Sequence, residues 1–325
     1  MNIGSTSAGR TPTRTARPGL PRALWHGLLT TGAVLAVCAI IATFSTLSYQ
    51  DATARLAQHS VRATGQVTGG SGTSADITWK TPAGQQLRAV VPMSGTAPSA
   101  GTRTEIAYDP ADPADAIIPG AHLLADADQA RDGLFFATLV ACAVLAVDAV
   151  WLLRRLRLRR SPGGPLTVRR VRMQRRLMSR SWLETEPVPG RRQRWIPVYY
   201  DPVLAELPSP VEVTLRGDLI LDRLVAVEVN GVLLYPSGRV APSEPLGRRT
   251  DSPSRPDDHA LAKARAGGIL RQLRVDAALL VPAPLIGLFW AYLDQGGGAP
   301  SWLGATALCA TLGLWLAAIR GSDPT

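Results

Sequence analysis

The chain has 325 residues and a formal net charge of +10, and its three cysteines, Cys38, Cys142 and Cys309, all lie within apolar stretches. A disulfide framework needs paired cysteines in exposed segments, so this composition excludes a small disulfide-stabilised domain. The basic charge favours an anionic partner, either a nucleic acid or an anionic membrane surface.

Long apolar blocks dominate the hydropathy pattern. A bilayer core about 30 Å thick requires roughly 20 apolar residues in a helix. Blocks of about this length occupy residues 23–47, 133–153, 277–293 and 302–319. The sequence therefore predicts a multi-pass α-helical membrane protein with four transmembrane helices and two small β-rich exposed domains. Cleavage of the first block at the Ala-x-Ala pattern of Ala52 to Ala54 remains an alternative.

The distribution of charge predicts the orientation. Residues 51–132 contain 6 basic and 9 acidic side chains, whereas residues 154–274 contain 24 basic and 12 acidic ones. Positively charged loops are retained in the cytoplasm. We therefore expect a cell-membrane protein whose N-terminus (a disordered tail, residues 1–22), C-terminus (residues 320–325) and residues 154–274 are cytoplasmic. The preference for arginine over lysine indicates a GC-rich bacterial genome.

Two β-rich domains are predicted between the apolar blocks. In the outer domain, residues 51–130, strand patterns flank a turn at Thr81 to Gly84. In the cytoplasmic domain, residues 181–240, Asn230-Gly231 is a strong hairpin signal. An Arg-rich juxtamembrane segment, residues 154–180, precedes this domain, and a linker rich in proline and serine, residues 241–274, follows it.

The outer domain resembles a known family. The residues that carry the likeness are Ala63 to Val67, Ile77 to Gly84, and Gly101 through Tyr108-Asp109-Pro110-Ala111-Asp112-Pro113. Over about residues 20–160 the chain resembles the family catalogued as domain of unknown function 3592. The resemblance implies a bacterial membrane protein with a small β domain between two membrane helices, and it implies no particular chemistry. Because Tyr200-Asp201-Pro202 repeats the tripeptide at Tyr108, a duplication of the β domain is a further hypothesis.

One carboxylate, Asp148, lies inside a predicted membrane span. Intramembrane carboxylates mark candidate proton or ion pathways. Arg154 and Arg155 follow on the same helix, however, and arginines near a helix end can reach back to neutralise such a charge. We favour the ion pair, and we interpret Asp276 beside Arg274 in the same way.

The densest basic feature is a run of arginines that follows the second span without an intervening acid. Basic residues beside a membrane span bind anionic headgroups, at about 1 kcal/mol per charge. Nucleic acid is a less favoured partner, because the run lacks aromatic residues for base stacking. The predicted lipid-contacting residues are Arg154, Arg155, Arg157, Arg159, Arg160, Arg169, Arg170, Arg172, Arg175, Arg176 and Arg180.

Catalytic, metal and nucleotide-binding motifs are not recognisable in the sequence, and we expect no enzyme activity and no cofactor. Asp109, Asp112 and Asp115 are spaced as proline-punctuated turns and lack the glycine turn of a calcium loop, although calcium remains an alternative. The leading hypothesis is a non-enzymatic envelope scaffold or interaction protein, whose partners are the lipid bilayer and another protein or a second copy of the chain. The alternative is a transporter or channel component that uses Asp148.

Overall fold

The computed structural model gives the positions of most of the chain. The described residues are 22–176, 178–187, 192–255, 258, 262, 269–293 and 298–324. Helices lie at Arg22–Gln58 (α1), His122–Arg159 (α2), Ile269–Asp276 (α3), Ala283–Leu293 (α4) and Gly298–Arg320 (α5), with short 3₁₀ helices at Pro202–Glu206 and Ala277–Leu280. The predicted disordered tail falls almost wholly outside the described residues.

The strands form two sheets, one in each of two compact units. The smaller unit (Leu35–Val144 and Phe289–Gly304) contains Val61–Ser71 (β1), Ser74–Lys80 (β2), Gln86–Pro92 (β3), Arg103–Tyr108 (β4) and Ala116–Ile117 (β5). The larger unit (Met1–Val34, Leu145–Leu288 and Ala305–Thr325) contains Gly163–Arg175 (β6), Met178–Thr185 (β7), Trp195–Val198 (β8), Val211–Arg216 (β9), Ala226–Val229 (β10), Val232–Leu234 (β11) and Arg248–Asp251 (β12).

The sheet of the smaller unit curls around a compact core. Its long strand β1 pairs with β4 near its start and with β2 near its end. Alternate residues on these strands face inward, as the period of a half-buried strand requires, and they bury Val67, Ile77, Trp79 and Ile106. Gly65 allows β1 to approach β2, since a Cβ there would lie 2.6 Å from the carbonyl oxygen of Thr78.

The sheet of the larger unit is built on the same plan. Its long strand β6 pairs with β9 over residues 163–168 and with β7 over residues 168–175. The core beneath it includes Val168, Leu183, Ile196 and Val227. The predicted hairpin is present, because β10 and β11 flank Asn230-Gly231 and both turn residues have positive φ, as a type I′ turn requires.

The two sheets share one strand order. The order is β3-β2-β1-β4-β5 in the smaller unit and β8-β7-β6-β9-β10 in the larger, which adds β11 beside β10 and β12 on β6. Each sheet begins with a long strand that follows an apolar helix. This shared order supports the duplication hypothesis. The repeated tripeptide does not, because Tyr108 ends the fourth strand of its sheet whereas Tyr200 follows the third of the other.

The predicted fold class, a multi-pass α-helical membrane protein with four transmembrane helices, is wrong. About 45% of the chain is helix and 28% is strand, arranged in two curled sheets. Within the described residues, three helices are long and apolar enough to cross a membrane, namely α1, α2 and α5.

The block at residues 277–293 belongs to a bent pair of helical segments, Leu270–Leu280 and Ala283–Leu293, which makes a fourth candidate span if the pair counts as one. It is not one continuous helix, because a 3₁₀ helix at Ala277–Leu280 precedes α4, which has only 11 residues. The helical segments on either side of the break meet at 44°. Pro282 and Pro284 lack the backbone donors that a continuous helix needs. Hydropathy reports the polarity of side chains, so it did not reveal the break.

Two boundaries of the predicted cytoplasmic domain also need correction. The residues predicted as an Arg-rich juxtamembrane segment, 154–180, contain the whole of β6 and the start of β7. Residues 241–274, predicted as a linker, contain β12, which pairs with β6 through Arg248 and Gln174. The strands of this sheet therefore run from residue 163 to residue 251. The boundaries were wrong because the many arginines of β6, such as the exposed Arg169 and Arg175, are also typical of a solvated charged segment.

Candidate functional site

The candidate site lies within the larger unit, where the ends of several helices meet the sheet. We call it the helix–sheet junction and define it by Trp151 and Arg155 on α2, Tyr199 after β8, Tyr235 after β11, and Ile319 on α5. Trp151 and Arg155 are four residues apart, so they share one face of α2. The remaining members come from distant parts of the chain.

Arg155 is held by aromatic rings. Its side chain is buried, with 3% of the residue exposed. The guanidinium carbon lies 3.0 Å from the ring centroid of Trp151, 4.5 Å from that of Tyr199 and 4.9 Å from that of Tyr235. Cation–π attraction is strongest when the cation has lost its water. This arrangement fixes the end of α2 to the sheet without a carboxylate partner in the described part of the chain.

Tyr199 connects two helices at the same place. Its hydroxyl accepts a hydrogen bond from the Trp151 indole nitrogen at 2.6 Å and donates one to the backbone carbonyl of Ile319. Burial raises the pKa of Tyr199, against the opposing effect of the positive charges of Arg155 and Arg180. The phenol of Tyr199 is therefore neutral at physiological pH, and its hydroxyl proton remains available for the hydrogen bond to the carbonyl of Ile319.

Arg180, on β7, lies close to this cluster. Its guanidinium donates to the backbone oxygen of Ser237 at 2.9 Å and to the side-chain oxygen of Ser237 at 3.1 Å. Burial, together with the nearby charge of Arg320, lowers the pKa of Arg180. The side chain of Arg180 therefore forms its hydrogen bonds inside the larger unit, with Ser237.

Asp148 does not form the predicted ion pair with Arg154 or Arg155. Its two carboxylate oxygens accept hydrogen bonds from the hydroxyl of Thr31 at 2.6 Å and from the indole of Trp315 at 3.2 Å. These donors belong to α1 and α5, so the carboxylate joins three apolar helices. Arg155 is directed to the aromatic rings instead, which explains why the sequence spacing was misleading.

A second buried cluster contains His26, Gln272, Asp276 and Ser322. The Ser322 hydroxyl donates to Asp276 at 3.0 Å, and the Nε2 atom of His26 lies 3.3 Å from the same carboxylate oxygen. Gln272 donates to the hydroxyl of Ser322 at 3.3 Å. The predicted pairing of Asp276 with Arg274 is wrong, because its carboxylate faces α1 and the chain after α5.

This cluster lacks the order of groups found in a serine hydrolase. In a catalytic triad the imidazole lies between the hydroxyl and the carboxylate, and accepts the proton of the nucleophile. In this cluster the Ser322 hydroxyl and the Nε2 atom of His26 both contact the carboxylate of Asp276, and no hydrogen bond joins the imidazole to the hydroxyl in the described part of the chain. The geometry supports a structural link between helix ends.

The residues after α5 join the edge of the sheet. Ser322 forms a β-bridge with Arg180, and the amide of Asp323 donates to the carbonyl of Ser179 at 2.8 Å. The buried Asp323 carboxylate accepts hydrogen bonds from the Ser181 hydroxyl at 2.5 Å and from the Arg170 guanidinium at 3.3 Å. The end of the described chain is therefore an internal part of the fold.

The predicted lipid-contacting arginines differ in their exposure. Arg155 and Arg170 are buried and Arg180 is partly buried, and all three have contacts inside the larger unit. We remove these three from the lipid-contacting set, because buried and engaged guanidinium groups cannot also reach headgroups. Arg172 is partly buried, and the exposed members are Arg154, Arg157, Arg159, Arg160, Arg169, Arg175 and Arg176.

In the smaller unit, the aspartates considered for calcium shape turns. Asp109 accepts the amide of Ala111 at 2.7 Å, and Asp112 accepts that of Ala114 at 3.2 Å. Asp115 lies 3.2 Å from the imidazole of His59. Within the described residues no group of histidine, cysteine, aspartate and glutamate side chains is arranged to hold a metal ion.

No family model, curated protein or solved structure matches the chain. The resemblance to domain of unknown function 3592 therefore stays a prediction. Sequence reasoning missed the aromatic partners of Arg155 and the burial of Asp323. The spacing of Trp151 and Arg155 was a usable signal for the first, whereas nothing local marked the second.

Proposed function

We propose that this chain is a membrane-anchored, non-enzymatic envelope scaffold that holds its larger β domain at the cytoplasmic membrane surface. The observation that carries the proposal is the helix–sheet junction. Arg155, Tyr199 and Asp323 bind the ends of α2 and α5 and the sheet to one another through buried contacts. A domain attached this firmly at helix ends has a fixed position next to the bilayer, as a scaffold requires.

Charge supports the cytoplasmic assignment. Residues 154–274 have twice as many basic as acidic side chains, whereas residues 51–132 are net acidic. The start of α1 and the residues after α5 pack on the larger unit, through Arg22 with Gln272 and through Asp323 with Arg170. We therefore assign both ends of the described chain to the cytoplasmic side, which requires the bent pair Leu270–Leu280 and Ala283–Leu293 to cross as one span before α5 crosses back.

Labelling of single cysteines tests this assignment. In a variant with Cys38, Cys142 and Cys309 replaced by alanine, we place a cysteine at the exposed Thr73 or Ser243. A membrane-impermeant maleimide should label Thr73→Cys in intact spheroplasts and Ser243→Cys only after permeabilisation. Labelling of Ser243→Cys in intact spheroplasts would reverse the orientation.

Co-purification of a defined partner would support the scaffold, and a symmetric oligomer with a polar lumen would support transport.

A transporter that uses Asp148 is the alternative, and the contacts of Asp148 favour a structural role. Asn at position 148 would keep an oxygen to accept the Thr31 hydroxyl, so Asp148→Asn should cost about 1 kcal/mol or less in the free energy of unfolding. Asp148→Leu should cost about 2 kcal/mol, because two donors would lose their acceptor. Denaturant unfolding in detergent measures both values.

Flux measurements separate the two functions. Proteoliposomes that contain Asp148→Asn should have the same proton and ion permeability as those that contain the unaltered chain. A folded Asp148→Asn protein that had lost a measurable flux of the unaltered chain would replace the scaffold with a transporter.

A further inference from the structure

The loop between β9 and β10 has an apolar tip that the fold leaves uncovered. Ile220 is 72% exposed and Leu221 is 81% exposed, whereas the neighbouring Leu219 packs against the core of the larger unit. Two adjacent large aliphatic side chains directed away from a folded domain are a feature of surfaces that bind a membrane or a protein.

The loop is held in one conformation by its own hydrogen bonds. The carboxylate of Asp218 accepts the amides of Ile220 at 2.7 Å and of Leu221 at 3.1 Å. The carboxylate of Asp222 accepts the amide of Asp218 at 2.7 Å, and the backbone of Asp222 donates to that of Asp218 at 2.9 Å. The two aliphatic side chains are therefore presented by a preformed turn, which reduces the entropy lost on binding.

A basic cleft lies directly beside this tip. It has a volume of about 230 Å³ and is lined by Arg154, Arg157, Leu158, Asp222, Arg223 and Leu224. Arg154 and Arg157 are three residues apart on α2, so they share a face of the helix. The cleft contains three arginines and one acid, and the carboxylate of that acid, Asp222, already accepts the Asp218 amide. The cleft is thus suited to an anion such as a phosphate.

We propose that the cleft binds the headgroup phosphate of an anionic phospholipid while Ile220 and Leu221 insert among its acyl chains. The proposal rests on the membrane anchoring proposed above. The lipid is favoured over a protein because the cleft is formed by the last turns of α2, a helix long and apolar enough to cross a membrane. Phosphate and acyl chain are present together in a phospholipid, and this tip places arginine and aliphatic side chains together to receive them.

An environment-sensitive fluorophore at the tip tests the insertion. The cysteine-free full chain with Leu221→Cys, labelled with a nitrobenzoxadiazole dye, is placed in nanodiscs of phosphatidylcholine and phosphatidylglycerol. We expect blue-shifted emission that brominated acyl chains quench. The matched control is Leu246→Cys, since Leu246 is 74% exposed and lies two residues before Arg248, which pairs with Gln174 at the end of β6 opposite to α2 and the cleft. Its dye should report water and escape quenching.

Lipid selectivity tests the cleft. Quenching at position 221 by brominated phosphatidylglycerol should exceed quenching by brominated phosphatidylcholine, and each of Arg154→Gln, Arg157→Gln and Arg223→Gln should reduce this enrichment about fivefold. Inorganic phosphate that abolished the enrichment would show a site for free phosphate and would overturn the lipid assignment.

Two further results of the dye experiment would contradict insertion of the loop tip into lipid. A dye at position 221 that stays in water in nanodiscs would overturn the insertion. A dye with blue-shifted emission in nanodiscs that brominated acyl chains do not quench would show that protein covers the tip, which also overturns it. The labelling of Ser243→Cys reports orientation and does not depend on this loop, so the scaffold and the lipid site can fail separately.

Discussion

Replacing Trp151 with alanine is expected to lower the free energy of unfolding by about 3 kcal/mol. The indole donates to Tyr199, lies against the guanidinium of Arg155 at 3.0 Å, and packs edge-on to the Tyr199 ring with centroids 5.6 Å apart. It also approaches α1, where a Cβ on Gly27 would lie 3.3 Å from the ring. Denaturant unfolding in detergent, followed by circular dichroism, measures the loss.

Two further variants separate the causes of that loss. Trp151→Phe keeps an aromatic face for Arg155 and removes the indole donor, so it should cost about 1 kcal/mol. Trp25→Ala is the matched control, because Trp25 is 47% exposed and should cost much less. Equal losses in Trp151→Ala and Trp25→Ala would contradict the assignment of the junction as the place where the helices are fixed to the sheet.

Replacing Asp323 with alanine is expected to lower the free energy of unfolding by about 3 kcal/mol. Asp323 is 1% exposed, and its carboxylate accepts hydrogen bonds from the buried Ser181 and Arg170. Removal of the carboxylate takes the acceptor from a buried hydroxyl and the counter-charge from a buried guanidinium. Thermal and denaturant unfolding of the full chain in detergent should both register the change.

The conservative and control variants define the cause. Asp323→Asn keeps an oxygen for Ser181 and should lose less than Asp323→Ala. Ser181→Ala combined with Asp323→Ala should be less destabilising than the sum of the two single changes, since the side chains share a hydrogen bond. Asp128→Asn, at an exposed position on α2, should be neutral. Additive losses at Ser181 and Asp323 would mean that the hydrogen bond contributes nothing.

Local pattern was sufficient wherever neighbours along the chain decide the structure. Alternation and turn residues predicted strands near Val61, Ile77 and Thr102, and Asn230-Gly231 predicted the hairpin of β10 and β11. Apolar length indicated the central parts of α1, α2 and α5. In each case the period of the side chains, or the φ that a turn demands, is a property of a short stretch of sequence.

The charged residues show where that reasoning stops. The sequence offers Asp148 only its helical neighbours Arg154 and Arg155, yet its donors are Thr31 and Trp315, 117 and 167 residues away. A charge is stabilised by whatever surrounds it after folding, and the sequence does not state which segments will meet.

The sequence by itself determined that long apolar helices alternate with β-rich segments, and that the positive charge is concentrated in residues 154–274. Only the tertiary structure decided that β6 lies within the arginine run, that Arg155 is enclosed by aromatic rings, and that Asp323 belongs to the core. The physical reason is that burial and pairing depend on contacts between distant segments. Two neighbouring arginines in the same run, Arg154 and Arg155, can therefore finish at the surface and inside the protein respectively.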